Sequence, residues 1–289
     1  MKIKKKIHGK PAWLRKSLPR GKDFQRVKNL LSDAGLNTVC QEANCPNMFE
    51  CFSKDTSTFM ILGAHCTRNC RFCNVTWGIT LPPDPDEPKK IAQAALALKL
   101  KYVVVTSVTR DDLEDGGASH FAKTIDAIKN RLPDNPKVEV LIPDFQGNIK
   151  ALQTIVAANP DVVNHNIETV PFLYPFVRPE ADYQQSLDLF KNVKKIDALM
   201  PVKSGIMVGL GETIEQLEQT IGDLFDHGCD ILTIGQYLQP TKSHLKVEKY
   251  YSPDEFAMLE NLAKHIGFKR IAAGPFVRSS YQAKDLFES

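Results

Sequence analysis

The sequence predicts an α/β fold: a partial, six-unit β/α (TIM-type) barrel with N- and C-terminal extensions covering the barrel mouth. Three observations carry this. Apolar, β-rich runs recur at 58–64, 102–108, 138–142, 162–168, 203–210 and 231–238. Helical patterns at 88–100, 118–131, 147–158, 181–199 and 212–227 lie between them, and such alternation of apolar strands with helices means a parallel sheet covered by helices. The six units occupy about 180 residues, short of the ~250 that a closed eight-unit barrel needs. An open, doubly wound sheet is the alternative from pattern alone. The expected partition is an extension over 1–57, the barrel over 58–270 and a tail over 271–289, together one structural unit.

In chain order, Phe24, Val27, Leu30 and Leu31 recur at helical spacing, so 23–36 reads as an amphipathic helix that stops at Gly35. Cys40, Cys45 and Cys51 follow, with Pro46 and Asn47 breaking regular structure between them. The first strand leads into Cys66, Cys70 and Cys73. In a β/α barrel, functional residues sit at the carboxyl ends of the strands. Thr106 and Ser107, with Thr109-Arg110-Asp111-Asp112, close the second strand, and Pro143-Asp144-Phe145 the third. The fourth ends in Asn164-His165-Asn166-Ile167-Glu168. Side chains alternate along a strand, which puts Asn164, Asn166 and Glu168 on one face. Three polar groups there suit a polar ligand in a barrel mouth better than an apolar core, the rival being a hydrated interior layer. His165 on the other face reads as packed and hydrogen-bonded.

Gly209-Leu210-Gly211 opens the helix after the fifth strand. Without a third glycine it is no dinucleotide fingerprint, so it permits close backbone approach to a small molecule or makes a tight turn. A helix over 253–265 covers the far edge. The stretch 271–281 is too apolar for a free terminus and is expected to pack back on the body.

At 289 residues the chain can bury a sizeable core. Its formal net charge of +3 gives little reason to expect nucleic acid, and no apolar run approaches the roughly 20 residues of a membrane span. Residues 1–22 hold nine basic residues and no acid. They read as a solvated tail or as a docking surface for an acidic partner; no apolar region follows to make a signal peptide. Seven cysteines, odd in number and clustered, argue for metal-bound thiolates in a reducing cytoplasm and against a disulfide framework. Cys229 alone stands apart and reads as a buried, inert thiol.

Six thiols in two sets of three lie within 34 positions. A structural zinc site takes four protein ligands, so each set is one short. An iron–sulfur cluster with one iron open to a small molecule fits that deficit. The rival classes are an iron–sulfur electron carrier, which needs no barrel with polar strand ends, and a zinc-stabilised binding module, which needs four-ligand sets.

Cys66-x3-Cys70-x2-Cys73, with Phe72 before the last thiol, resembles the radical S-adenosylmethionine signature. Cys40-x4-Cys45-x5-Cys51 and Arg278-Ser279-Ser280-Tyr281 narrow the resemblance to the lipoyl synthase family, and it extends from Lys10-Pro11-Ala12-Trp13-Leu14-Arg15 nearly to the end. The resemblance implies that Cys66, Cys70 and Cys73 hold a 4Fe–4S cluster that chelates S-adenosylmethionine and cleaves it to a 5′-deoxyadenosyl radical. It implies a second, auxiliary 4Fe–4S cluster on Cys40, Cys45, Cys51 and Ser280. It implies a sulfurtransferase that inserts sulfur at carbons 6 and 8 of an octanoyl chain, consuming one S-adenosylmethionine per insertion and two per product.

The implied partners are octanoylated lipoyl carrier domains (acyltransferase subunits of 2-oxoacid dehydrogenases and the glycine cleavage H protein) and an electron donor such as ferredoxin or flavodoxin. Asn166 and Glu168 are the first choices for S-adenosylmethionine contacts, followed by Thr106, Ser107, Arg178, Gly209 and Gly211. A sulfur inserter of the biotin synthase type is the nearest competitor, but it leaves Cys40, Cys45, Cys51 and the tail motif unexplained.

Overall fold

The computed structural model describes residues 10–15, 22–53 and 56–288. The basic stretch 1–9 and residues 16–21 lie outside them. The strands are β1 (Asn37–Thr38), β2 (Thr58–Ile61), β3 (His65–Cys66), β4 (Thr76–Trp77), β5 (Tyr102–Ser107), β6 (Lys137–Leu141), β7 (Val162–Asn164), β8 (Val202–Val208), β9 (Ile231–Gln236) and β10 (Arg270–Gly274). The helices are α1 (Lys22–Asp33), α2 (Val39–Glu42), α3 (Met48–Ser53), α4 (Glu87–Ala97), α5 (Ala118–Arg131), α6 (Ile149–Ala157), α7 (Tyr174–Val177), α8 (Tyr183–Ile196), α9 (Ile214–Asp226), α10 (Pro253–Ile266) and α11 (Ala283–Glu288).

One sheet runs β1-β2-β5-β6-β7-β8-β9-β10. β1 is antiparallel and the other pairings are parallel. The sheet stays open, with β1 and β10 as its edges, which is the partial barrel expected. The sequence expectation of six units misses a seventh parallel strand. β10 begins with Arg270, pairs with β9 along its whole length, and uses the first residues of the stretch assigned to the tail. Its small residues (Ile271-Ala272-Ala273-Gly274) carry no strong periodic signal; partnership with β9 makes the strand.

Helix ends follow local chemistry. α9 and α10 begin with capping boxes at Thr213/Gln216 and Ser252/Glu255, which satisfy otherwise unpaired N–H groups. The core is continuous from α1 through the strands to α10. It contains a polar layer across β5–β8: the carboxylate of Glu139 accepts from Tyr102 Oη (2.6 Å), Asn164 Nδ2 (2.8 Å) and Lys203 Nζ (3.0 Å). Lys203 and Glu139 are fully enclosed as a pair, which is tolerable because Lys203 Nζ reaches both oxygens of the carboxylate. Asn164 therefore belongs to an interior polar layer of directly bonded side chains, and faces neither a ligand nor the hydrated layer of the rival expectation.

The fourth strand is shorter than the 162–168 expected. His165 N still donates to the Lys203 carbonyl of β8 (3.0 Å); the chain then leaves the ladder and rejoins β8 at Glu168, where Glu168 N donates to Gly205 and Met207 N to Glu168. Glu168 has φ +67°, a left-handed value rare for a residue with a Cβ. The excursion acts as a β-bulge does, re-aiming side chains at the rim of a barrel.

Candidate functional site

The first thiol set stands on a loop braced on three sides. β3 and β4 pair in parallel and close its base. Thr67 N and Oγ1 both donate to the Thr109 carbonyl after β5, at 3.0 Å each. Arg71 N donates to Val177 at the end of α7, and Asn69 N to Glu180. His244 Nε2 donates to the Cys73 carbonyl at 2.9 Å. Cys66 Sγ accepts N–H groups from Thr109 (3.3 Å) and Arg68 (3.5 Å).

Arg68, inside the thiol motif, is buried and locks the loop to the barrel. Its Nε and Nη2 reach both oxygens of Asp111 at 2.6 and 2.9 Å; its Nη1 and Nη2 reach both of Asp144 at 2.8 and 2.7 Å. Fork-to-fork geometry of this kind fixes direction as well as distance. Burial alone would raise the Asp144 carboxyl, but hydrogen bonding and charge from Arg68 outweigh it and hold the group well below the usual carboxylate range. The chain after Asp144 is left-handed at Phe145, Gln146 and Gly147, a strained turn of the kind that clusters at functional sites. The sequence offered Arg68 only as a residue between cysteines; its role needed Asp111 and Asp144 to arrive from two strand ends.

At the mouth, Asn166 Nδ2 donates to Glu168 Oε1 (3.1 Å) and to Ser279 Oγ (3.2 Å), while its buried Oδ1 has no protein partner. Arg178 Nη1 donates to the Asn166 and Ile167 carbonyls and to Tyr174 Oη, its buried Nε has no partner, and its guanidinium lies 5.4 Å from the Tyr174 ring centre. Burial raises the Glu168 carboxyl. Ser107 Oγ is likewise buried and unpartnered. These unspent polar atoms suit a polar ligand. Thr106 differs, since its hydroxyl is committed to the Leu141 carbonyl between strands at 2.9 Å. His165 donates from Nδ1 to Ile142; burial pushes its pKa down to about 4, so it is neutral and packed.

The Gly209–Gly211 turn is filled by the chain itself. Glu212 accepts the N–H groups of Gly209 (2.6 Å) and Leu210 (2.9 Å), and a Cβ on Gly209 would strike Gln236 Nε2 and the Lys249 carbonyl.

The second set lies on α2 and α3. Thr38 caps α2 by accepting from Gln41 N, Cys45 N donates to Cys40, and Cys51 N to Asn47. Cys40 is raised chiefly by burial, with Cys45 and Cys51 adding to it. Asn74 Nδ2 donates to the Glu42 carbonyl (2.8 Å), tying this segment to the first thiol loop. The tail arrives from the far end of the chain: Asn47 Nδ2 donates to Phe276 (2.6 Å) and Tyr281 Oη to Glu50 (2.8 Å). Arg278 lies within charge range of Cys45 and Glu168. Ser280 is half-buried on this arm.

All seven cysteines are free. Burial pushes Cys70 up to about 11 and Cys40 and Cys73 up to about 12, so these thiols stay protonated at neutral pH until a thiophilic metal binds the sulfur and the proton is released to solvent. A thiophilic iron centre fits both donor sets, with proton release on binding. Among the described residues, no three His, Cys, Asp or Glu side chains close around one point as a single ion requires. Cys229 is buried and sits apart, its thiol directed at the Ile231 carbonyl.

An open β/α barrel with three thiols on the loop after its first strand defines the class, and the sequence model of the Radical SAM superfamily matches residues 60–224. The model of the N-terminal domain of lipoyl synthase of the Radical SAM family matches residues 1–45. The lipoyl synthase of Desulfotalea psychrophila is 56% identical over 96% of this chain and 93% of its own length. That of Alkaliphilus metalliredigens is 54% identical over 98% and 97%. The chain belongs to the lipoyl synthase family of radical S-adenosylmethionine enzymes. Among solved structures, the hydrogenase maturase HydG aligns over 92% of this chain and 69% of its own, with TM-score 0.63 at 11% identity. Methylornithine synthase PylB covers 83% and 73% with TM-score 0.57 at 14% identity; these two share the fold. No helix among the described residues is long and apolar enough to cross a membrane.

Proposed function

We propose that the chain inserts two sulfur atoms, at carbons 6 and 8, into an octanoyl chain carried on a lysine of a lipoyl carrier domain, and so acts as a sulfurtransferase. The observation that carries this reading is the meeting of two thiol sets and the C-terminal arm at one barrel mouth. Cys66, Cys70 and Cys73 would hold a 4Fe–4S cluster with one iron left for S-adenosylmethionine. When bound, that cluster supplies the electron that cleaves S-adenosylmethionine, and with it the power to take hydrogen from an unactivated carbon, which no side-chain acid or base can do.

The protein's own work is placement. Arg68 holds the thiol loop against β5 and β6 through Asp111 and Asp144. Asn166, Glu168, Arg178 and Ser107 offer polar atoms to S-adenosylmethionine. Gly209 and Gly211 let the neighbouring turn close beside the mouth. Cys40, Cys45 and Cys51 with Ser280 would hold the auxiliary cluster, the source of sulfur. A hard serine oxygen holds iron in a sulfide cluster less well than a soft thiolate, so Ser280 is the ligand suited to leave as sulfur is given up. The reducing cytoplasm suits both thiol sets, and a ferredoxin or flavodoxin suits as the electron donor.

The test is anaerobic turnover of an octanoyl-lysine peptide with reductant and S-adenosylmethionine. Two S-adenosylmethionine are consumed per product, and the mass gain is that of two sulfurs for the dithiol, less two hydrogens once it is oxidised to the disulfide. Cleavage of S-adenosylmethionine with no gain of sulfur overturns the reading. In the same assay Ser280→Cys keeps the auxiliary iron and loses sulfur insertion; full product from that variant removes Ser280 from its assigned role.

A further inference from the structure

The C-terminal arm reaches the thiols by crossing the barrel mouth, and one place in the sheet has to be empty for it to pass. Gly235, near the end of β9, pairs with Met207 on β8 and Gly274 on β10. Its backbone is outside the left-handed region, so conformation does not call for glycine there. Space does. A Cβ at 235 would run into the Val277 carbonyl oxygen and lie 3.1 Å from Arg278 Nη1. The obstacle is main chain, which cannot swing aside as the end of a side chain can.

The arm is fixed around that point. Val277 N donates to the Gly274 carbonyl (3.1 Å) and turns the chain over the end of β10. Asn166 holds Ser279 from the β7 side (3.2 Å). Asn47 and Glu50 hold Phe276 and Tyr281 from the second thiol segment. Residues 277 and 278 therefore lie between two anchored flanks, over a strand position without a side chain.

We propose that Gly235 is a positioning residue: its missing side chain is the seat of the arm, and the seat delivers Ser280 to Cys40, Cys45 and Cys51. The proposal rests on the reading of Ser280 as a ligand of the auxiliary cluster, and the experiment separates the two. Trypsin cuts after arginine, and Arg278 is packed at the seat. Reconstituted full-length protein and its Gly235→Ala variant are digested under native conditions, with sulfur insertion into the octanoyl-lysine peptide measured in parallel. In Gly235→Ala, cleavage after Arg278 speeds up at least about tenfold as the arm opens locally, and sulfur insertion falls at least about tenfold as Ser280 is drawn away from Cys40, Cys45 and Cys51. Reductive cleavage of S-adenosylmethionine persists. Gly222→Ala, on α9 with open space around it, changes neither readout.

Faster cleavage with full sulfur insertion keeps the seat and removes Ser280 as a ligand. Cleavage at the parent rate overturns the seat. If Gly235→Ala fails to fold, Gly274→Ala decides, because its Cβ would press on Val277 Cγ2 from 3.3 Å. It should speed cleavage about threefold, and an unchanged rate overturns the proposal.

Discussion

Arg68 joins three parts of the chain through one guanidinium. It sits within the first thiol motif, and its partners come from the ends of β5 and β6. The pair with Asp144 is sealed from solvent. Breaking one half of a buried pair typically costs about 3–5 kcal/mol, because the remaining charge is left uncompensated. Asp111 still pairs with Arg68 in Asp144→Asn, so that variant should destabilise the cluster-free protein by less, about 2 kcal/mol at pH 7, read by urea unfolding. The sign with pH follows from the depressed carboxyl: its stabilisation is full above the unfolded pKa of about 3.9 and fades as pH falls toward the folded value. The gap between parent and variant should be constant from pH 7 to pH 5 and narrow below about pH 4. A gap that widens in acid would contradict the assignment. Asp144 was legible as a polar residue at a strand end; its partner was not, since 76 positions separate them.

The turn between β8 and α9 shows what one glycine of a pair can do that the other need not. Gly209 and Gly211 are both left-handed, at φ +104° and +114°. Around Gly209 the chain is crowded by Gln236 and Lys249, whereas a Cβ on Gly211 would meet only Glu248 Cγ at 3.7 Å. Gly211→Ala should cost about 1 kcal/mol for backbone strain alone. Gly209→Ala should cost about 3 kcal/mol, because it also displaces main chain. Urea unfolding of the two variants checks the order, and equal losses would show that crowding is unimportant. The glycine pattern was visible in sequence, but the neighbour was not. A ligand and the protein's own chain leave the same mark on a glycine. The short β10 escaped for a related reason: its small residues carry no period, and β9 supplies the partner.

Across the whole molecule, the two ends of the chain meet at the mouth. Asn47 touches Phe276, and Glu50 touches Tyr281, across separations of 229 and 231 positions. A substrate carried on another protein must present its acyl chain to that mouth, so docking is a property of the assembled surface. The basic residues near the N-terminus suit an acidic carrier domain. Affinity for an octanoylated carrier protein should then fall as salt rises from 50 to about 500 mM, as screening shortens the reach of surface charge. Binding that is insensitive to salt would assign docking to apolar contacts.

What the sequence by itself determined was whatever a short window can encode. That covers the two three-thiol sets, the strand–helix period of the barrel and the tail motif, and from these the class of chemistry. The tertiary structure alone decided which of those residues meet. It placed Asp111 and Asp144 on Arg68, turned Asn164 into the polar layer, and re-aimed Asn166 and Glu168 by an excursion from the ladder. It also cleared Gly235 for the arm. Periodicity is a local property of the backbone, whereas ion pairs, orphaned polar atoms and steric vacancies exist only once distant segments share the same few ångströms.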